Sequence, residues 1–369
     1  MLLEPARKWR KFVDDKKNVF SQFELPLYIS PKSFGLSSKD RLKPMAVLVT
    51  GGAGYIGAHV VRLLLQRGDV VVVVDDGLTG VSQNIAPLTP HVMNIADDDS
   101  VDKLEQIMLD QDVDAVIHLA ARKQVGESVS RPAWYFRENI GGLANLLEAM
   151  NNAGVRNLVF SSSASVYGDA PAGLISEDFP TIPVSPYGET KLVGEWLISD
   201  CVRAQLLNAV SLRYFNVAGA ELPQLGDPAV LNLIPMVFER LDQNKPPRIF
   251  GNEYSTDDGT CVRDFVHVGD LATAHILALD SLKCEGPAGH KIYNVGTGTG
   301  TSVKEIIDLI IEVSGTSLRA EVHAPRLGDP AYVTADPSKI KSELGWYATN
   351  NVTDIVKTAW QSHEFKRRS

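Results

Sequence analysis

The residues that most constrain this chain are Thr50-Gly51-Gly52-Ala53-Gly54-Tyr55-Ile56-Gly57. A short apolar run, residues 46–50, leads into them, and an amphipathic stretch, 58–66, leads out. Between a strand and a helix these glycines do separate jobs. Gly51 allows the tight turn, Gly54 lets backbone N–H groups approach a pyrophosphate, and Gly57 permits close packing of helix on strand. The start of the helix presents the positive end of its dipole to the phosphates. A glycine cluster alone fits any tight strand-to-helix turn, but flanked on both sides in this way it fits a dinucleotide. The next apolar run, 70–74, ends in Asp75-Asp76, 24 residues after Gly51. A carboxylate there accepts hydrogen bonds from the ribose hydroxyls of an adenosine and repels a 2′-phosphate. No arginine follows within residues 77–80, so the expected cofactor is NAD rather than NADP. An acidic loop cap is the plainer reading of Asp75 taken alone.

Further strand candidates at 115–119, 158–162 and 210–214 each follow a stretch with helical periodicity. Short apolar runs separated by helices suit a parallel sheet covered on both faces, and right-handed crossovers then give an α/β, doubly wound, Rossmann-like fold. After Phe215 prolines and longer loops become frequent, with helices expected over 233–241, 270–281 and 302–314. Three parts are expected: a poorly ordered extension over 1–44, a NAD-binding portion over 45–215, and a mainly substrate-binding portion over 216–369 with some elements returning to the sheet. The extension carries Arg7-Lys8-Trp9-Arg10-Lys11 and Pro5, Pro26, Pro31 and Pro44, without the apolar core of a secretory signal. Met45 directly precedes the first strand, so either an internal start or a regulatory or targeting arm fits.

Composition narrows the class. A net charge of −9 argues against a nucleic-acid or anionic-membrane surface, and no apolar run approaches the roughly 20 residues of a membrane crossing. Cys201, Cys261 and Cys284 lack metal-ligand spacing, and so few, scattered thiols suggest packing residues in a reducing, cytoplasmic compartment.

Tyr187 and Lys191 lie four apart, on one helix face, and Ser161-Ser162-Ser163 ends a strand upstream. A tyrosine with its ordinary pKa near 10 is a poor base at neutral pH, but a nearby ammonium and a positive nicotinamide would each favour the phenolate. Ser163 can bond the reacting oxygen, and Lys191 can hold the nicotinamide ribose. Glycine fingerprint, acidic strand end, serine-rich strand end and Tyr-x-x-x-Lys, in that order, resemble the extended short-chain dehydrogenase/reductase family.

Longer segments are similar to the UDP-hexose 4-epimerases within it: TGGAGYIG (50–57), VGES (125–128), FSSSASVYG (160–168), SPYGETKL (185–192), LRYFNVAGA (212–220), IFGNEY (249–254), DGTCVRDFVHV (258–268), YNVGTG (293–298) and PRLGDPA (325–331). The resemblance implies that Ser163, Tyr187 and Lys191 are catalytic. It places Gly51, Gly54, Tyr55, Ile56, Gly57, Asp75, Asn94, Ile95, Lys123, Asn139 and Phe215 at the cofactor, together with the catalytic three. Lys123, Asn216, Asn232, Leu233, Ile249, Phe250, Arg263, Arg326 and Asp329 are implied at the UDP-sugar, with Ser163 and Tyr187 at its reacting end. Two arginines suit a diphosphate, because each guanidinium can pair phosphate oxygens in bidentate fashion; either alone could equally be a surface ion pair.

The implied reaction interconverts UDP-glucose and UDP-galactose. Tyr187 takes the 4-hydroxyl proton as C4 gives a hydride to NAD⁺, the 4-keto intermediate turns over, and both return to its other face. A homodimer is implied, through the helix bearing Tyr187 and one over 133–152. Three positions depart from or sharpen the pattern. Glu138-Asn139 stands where the family has Asn-Asn, and no cofactor role is assigned to Glu138. Ala164 and Ser165 stand where dehydratases and decarboxylases carry an acid, which disfavours those reactions. The gate beside the sugar falls at Tyr332 or Val333; a bulky residue there excludes N-acetyl sugars and a small one admits them. Epimerisation of UDP-GlcNAc, UDP-xylose/arabinose or UDP-glucuronate, or a non-catalytic NAD-binding scaffold, are the other readings.

Overall fold

A computed structural model describes residues 44–170, 173–283, 289–326 and 329–368. The extension before Pro44, Cys284, and Leu327-Gly328 of the PRLGDPA segment lie outside the described residues.

The apolar runs become a parallel sheet of seven strands. In spatial order these are His290–Val295, Asn208–Tyr214, Asn157–Ser163, Ala115–His118, Ala46–Thr50, Val70–Asp75 and His91–Val92. Successive positions are apolar because both faces are covered. Val47 and Val49 enter one core with Val71, Val73 and Ile117, whereas Leu48 enters a second with Val72, Val74 and Val116. The strand period of two thus divides each run between two cores. Helices Tyr55–Arg67 and Val268–Ser281 cover the first face; Ser100–Asp110, Gly142–Ala153 and Pro186–Arg203 cover the second. The fold is the doubly wound one that the pattern predicts.

Helix starts follow cap chemistry. The first helix begins at Tyr55, three residues before the amphipathic signal, because Gly54 is its extended N-cap. Val303–Ser314 begins on a capping box: Ser302 Oγ accepts from the Glu305 N–H while the Glu305 carboxylate accepts from the Ser302 N–H.

Beyond Phe215 the chain both leaves the sheet and comes back to it. His290–Val295 supplies the seventh strand by pairing with Asn208–Tyr214. Much of the remainder forms a smaller layer of short strands. Val262–His267 pairs with Gly300–Ser302, Tyr332–Ala335 and Asn216–Ala218, and Leu174–Ile175 joins Tyr332–Ala335. A separate pair joins Arg248–Phe250 to Glu321–His323. Asp264, fully buried, knits this layer by accepting from the N–H groups of Thr297 (2.8 Å), Gly298 (3.0 Å) and Ala335 (3.1 Å).

From Ala46–Thr50 the chain adds two strands on one side, then returns to place Ala115–His118 on the other. The strand order reverses here, so the loops at the carboxyl ends diverge and leave a crevice, the usual ligand position in an open α/β sheet.

Candidate active site

That crevice is lined by Gly51, Gly54, Tyr55, Ile56 and Gly57 from the first turn, and by Asp75 and Asp76 from the second strand. Asn94 and Ile95 follow the third, Lys123 the fourth, and Asn139, Tyr187 and Lys191 complete it. Twelve of the fourteen residues expected at the cofactor therefore share one cleft. The turn has no room for side chains: Gly51 has φ +72°, and a Cβ on Gly57 would lie 2.2 Å from the Gly51 carbonyl oxygen. The bare backbone leaves the helix N-terminus open to an anion, as a dinucleotide requires. Asp75 is held in place, its two oxygens accepting from the N–H groups of Ala53 (3.0 Å) and Gly77 (2.9 Å). Burial nevertheless pushes its carboxyl above the usual carboxylate range.

Several expected residues are spent on the protein itself. The Tyr55 hydroxyl donates to the Gly219 carbonyl at 2.6 Å. Asn94 donates to Glu138, at 3.2 Å to its nearer oxygen. Asn139 accepts from the Arg122 N–H at 2.8 Å and donates to the Arg122 carbonyl and to Thr190 Oγ1. The Phe215 side chain does not face the cleft; it is packed among Val166, Tyr167, Leu192 and Ala335.

The catalytic three meet at the edge of the cleft. Ser163 ends its strand and caps a short 3-10 turn, accepting from the Ser165 N–H. Ser185 caps the next helix, with Pro186 at its first position, where proline is best tolerated. This helix lies so close to the serine loop that a Cβ on Gly188 would sit 2.5 Å from the Ser165 carbonyl oxygen. Glycine there lets the helix bring Tyr187 close to Ser163. Lys191 is buried, with Nζ donating to the Ser161 carbonyl at 2.8 Å.

The electrostatics differ from the sequence expectation. Burial pushes the Tyr187 hydroxyl well above its ordinary value, the nearby Tyr214 adds to this, and the neighbouring Ser163 hydroxyl only partly opposes it. Lys191 gives little help: its Nζ stands 5.8 Å from the Tyr187 ring centre, and burial pulls its own pKa down to about 8. The free protein therefore holds Tyr187 as the neutral phenol.

Apart from Lys123, Ser163 and Tyr187, the second set of expected residues is spread over the smaller layer, the separate strand pair and the helix Leu233–Asp242. Arg263 bonds the Asp329 carboxylate, and the Arg326 guanidinium lies 4.2 Å over the Phe250 ring. Ile249 is buried in the adjacent core, against which Leu233 packs; Asn232 is the N-cap of Leu233–Asp242; and Asn216 pairs with Phe265. In this structure the Arg263 charge is met by Asp329.

The sequence profile of the NAD dependent epimerase/dehydratase family matches residues 47–296. The chain belongs to that family. A UDP-glucose 4-epimerase of Halalkalibacterium halodurans is 42% identical over 325 residues, covering 87% of this chain and 96% of the relative. The crystal structure of UDP-glucose-4-epimerase from Stenotrophomonas maltophila, with bound NAD and formylated UDP-arabinopyranose, is 38% identical with a TM-score of 0.82, covering 88% and 99% of the two chains. A UDP-Glc/GlcNAc 4-epimerase from Campylobacter jejuni is 34% identical with a TM-score of 0.76, covering 87% and 99%. NAD is the cofactor, and the cleft just described fits it.

Residues that sequence reading passed over also line or support this family's cleft. Arg122 reaches into it and bonds Asp76 and Glu138. Its partner Asp76 lies 46 positions away in sequence, a pairing no local motif signals. Tyr214 lines the cleft beside Tyr187. His118, bonded to Thr50 at 2.7 Å, is held neutral: burial and the Lys191 charge lower its pKa to about 3. No helix among the described residues is long and apolar enough to cross a membrane.

Proposed function

We propose that this chain is a UDP-sugar 4-epimerase acting on UDP-glucose and UDP-galactose. The observation that carries the reading is the placing of Tyr187 beside Ser163 at the edge of the dinucleotide cleft, with Lys191 in the same wall. When bound, NAD supplies a hydride acceptor at C4 and, in its oxidised form, a positive charge. Ser163 orients the sugar's 4-oxygen. Tyr187 loses its phenol proton to solvent, a loss favoured by the positive charge of bound, oxidised NAD. The resulting phenolate Oη takes the proton from the 4-hydroxyl and returns it once the 4-keto sugar has turned its other face. Arg263, Arg326 and Phe250 anchor the nucleotide, leaving the hexose loosely held and free to turn. Ala164 and Ser165 offer no carboxyl group for proton transfer at C5 or C6, so the chemistry stops at C4. The test is incubation with UDP-galactose and no added cofactor: UDP-glucose is the expected product, and no conversion of any UDP-sugar would overturn the reading.

One observation favours N-acetylhexosamine substrates as well. Val333, not Tyr332, packs against the cluster containing Val166, Tyr167 and Phe215, beside Ala164. Neighbouring strand residues point to opposite faces, so the side chain turned toward the serine loop is the small one. Turnover of UDP-GlcNAc is therefore expected. Val333→Tyr should lower kcat/KM for UDP-GlcNAc about tenfold or more relative to UDP-glucose, within the range a pocket clash produces. Equal losses for both sugars would remove Val333 from the gate.

The reading carries a homodimer with it. On the catalytic helix Trp196 is 58% exposed, and the nearby helix Val125–Ser130 exposes Val125 and Val129. Gly142–Ala153 shows no large exposed apolar side chain, so the surface for a two-fold contact centres on Trp196 rather than on that helix. Light scattering should show a dimer, and Trp196→Glu should shift it to monomer; a monomeric native protein would refute the assembly.

A further inference from the structure

The loop after the second strand contains no arginine, yet one stands beside the ribose-binding acid. Arg122 reaches it from the opposite side. The strands Ala115–His118 and Val70–Asp75 flank Ala46–Thr50 on either side, so two strand spacings, about 10 Å, separate their carboxyl ends. Arg122 bridges that span above the glycine turn: its Nη2 donates to Asp76 at 2.6 Å and to Glu138 at 2.7 Å, and its Nε donates to Glu138 at 3.0 Å.

The mount is rigid. Asn139 grips the Arg122 backbone at both N–H and carbonyl, and the guanidinium lies 5.3 Å from the Trp134 ring centre. Glu138 and Asn139 sit on a single π-helical turn, Arg137–Gly141, a distortion common at functional sites. Glu138 is further fixed by the Asn94 amide, and its side chain is only 11% exposed.

An arginine next to the adenosine ribose is what a 2′-phosphate takes as its partner. This arginine is already engaged by two carboxylates. Asp75, Asp76 and Glu138 together outnumber it three to one. The acids take Nε and Nη2 and leave only Nη1, so a phosphate could pair with Arg122 in bidentate fashion only by displacing one of them, which would then be left without a cation in a half-buried site.

We propose that Glu138 is a positioning residue for cofactor selectivity: with Asp76 it holds Arg122 closed to a 2′-phosphate, and so keeps the site for the unphosphorylated dinucleotide. The proposal rests on the NAD site described above. It does not depend on which sugar is turned over.

The test exposes purified holoprotein to equal concentrations of NAD and NADP, desalts it, and identifies the retained dinucleotide by mass spectrometry after acid extraction. Native protein should retain NAD in strong preference. Glu138→Gln should raise the NADP-to-NAD ratio about tenfold or more, since a hydrogen bond to a charged group becomes available to the phosphate. Adding Arg122→Ala to Glu138→Gln should erase that gain. Asp76→Asn, which frees the other side of the guanidinium, should move the ratio in the same direction and serves if Glu138→Gln does not fold. An unchanged ratio in both single variants, with NAD and NADP weakened alike, would reduce Glu138 to a structural role and overturn the proposal. A gain that survives removal of Arg122 would overturn it too. Native protein that retains neither dinucleotide would instead overturn the cofactor site itself.

Discussion

Tyr187→Phe should lower kcat for UDP-galactose epimerisation by about 10²- to 10⁴-fold, the range that a positioned general acid–base contributes. The size of this effect follows from the surroundings of the hydroxyl. Ser163 can still bond the sugar oxygen, but it has no charged partner of its own to accept the proton; Ser165, its other contact, is a second neutral hydroxyl. His118 is not a substitute, because burial and the Lys191 charge hold it neutral and its ring is bonded to Thr50. KM should change little, since the nucleotide end of the substrate supplies the anchoring. The measurement is a coupled assay on native and variant protein, with retained NAD checked in both. Activity within a few-fold of native would remove Tyr187 from the reaction.

The second large effect concerns stability. Glu195 lies one helical turn beyond Lys191, and its carboxylate takes two parallel bonds from Arg213, at 2.9 Å from Nε and 2.6 Å from Nη2. Both side chains are at least 95% buried. Burial works to lower the Arg213 pKa, but the bonds and charge of Glu195 more than reverse it, so the guanidinium stays charged. Glu195→Ala would leave that buried cation without its counter-charge, bonded only to the neutral Tyr167 hydroxyl and Glu177 carbonyl, and should cost about 3–5 kcal/mol. Replacing both residues by apolar side chains of similar volume should recover much of the loss, because no lone charge then remains buried. Urea denaturation of the single and double variants reads both values; a loss below about 1 kcal/mol for Glu195→Ala would show that water or another group reaches Arg213. Because the pair fastens the helix carrying Tyr187 and Lys191 to strand Asn208–Tyr214, surviving Glu195→Ala protein should also be less active.

How much of this could be read from the chain depended on how far apart the cooperating residues lie. The glycine turn with Asp75, and the Tyr187–Lys191 pair, are local patterns whose flanking periodicities declare their strand or helix. The strand runs at 46–50 and 70–74 were legible because a sheet buried on both faces needs unbroken apolar stretches. The smaller layer was not. Leu174–Ile175, Asn216–Ala218 and Gly300–Ser302 are two or three residues long, too short to show any period. Arg122 escaped for a related reason: its partners come from other loops, and its meaning exists only once the strands are side by side. The raised Tyr187 pKa of the free protein was not legible, because a sequence shows which charges are near in number but not how deeply a hydroxyl is buried.

The seventh strand has a consequence for how the protein is made. His290–Val295 pairs along its whole length with Asn208–Tyr214, and Asn294 accepts a hydrogen bond from the Tyr167 hydroxyl beside the serine loop. During synthesis, a nascent chain that has just released Phe215 has an unpaired, apolar edge and an unsupported catalytic wall. That edge must wait for some eighty further residues to leave the ribosome, an interval in which it is a ready template for pairing with other chains. The halves of this protein therefore cannot mature one after the other, and a fragment ending near residue 215 should accumulate as aggregate rather than as a working cofactor-binding module.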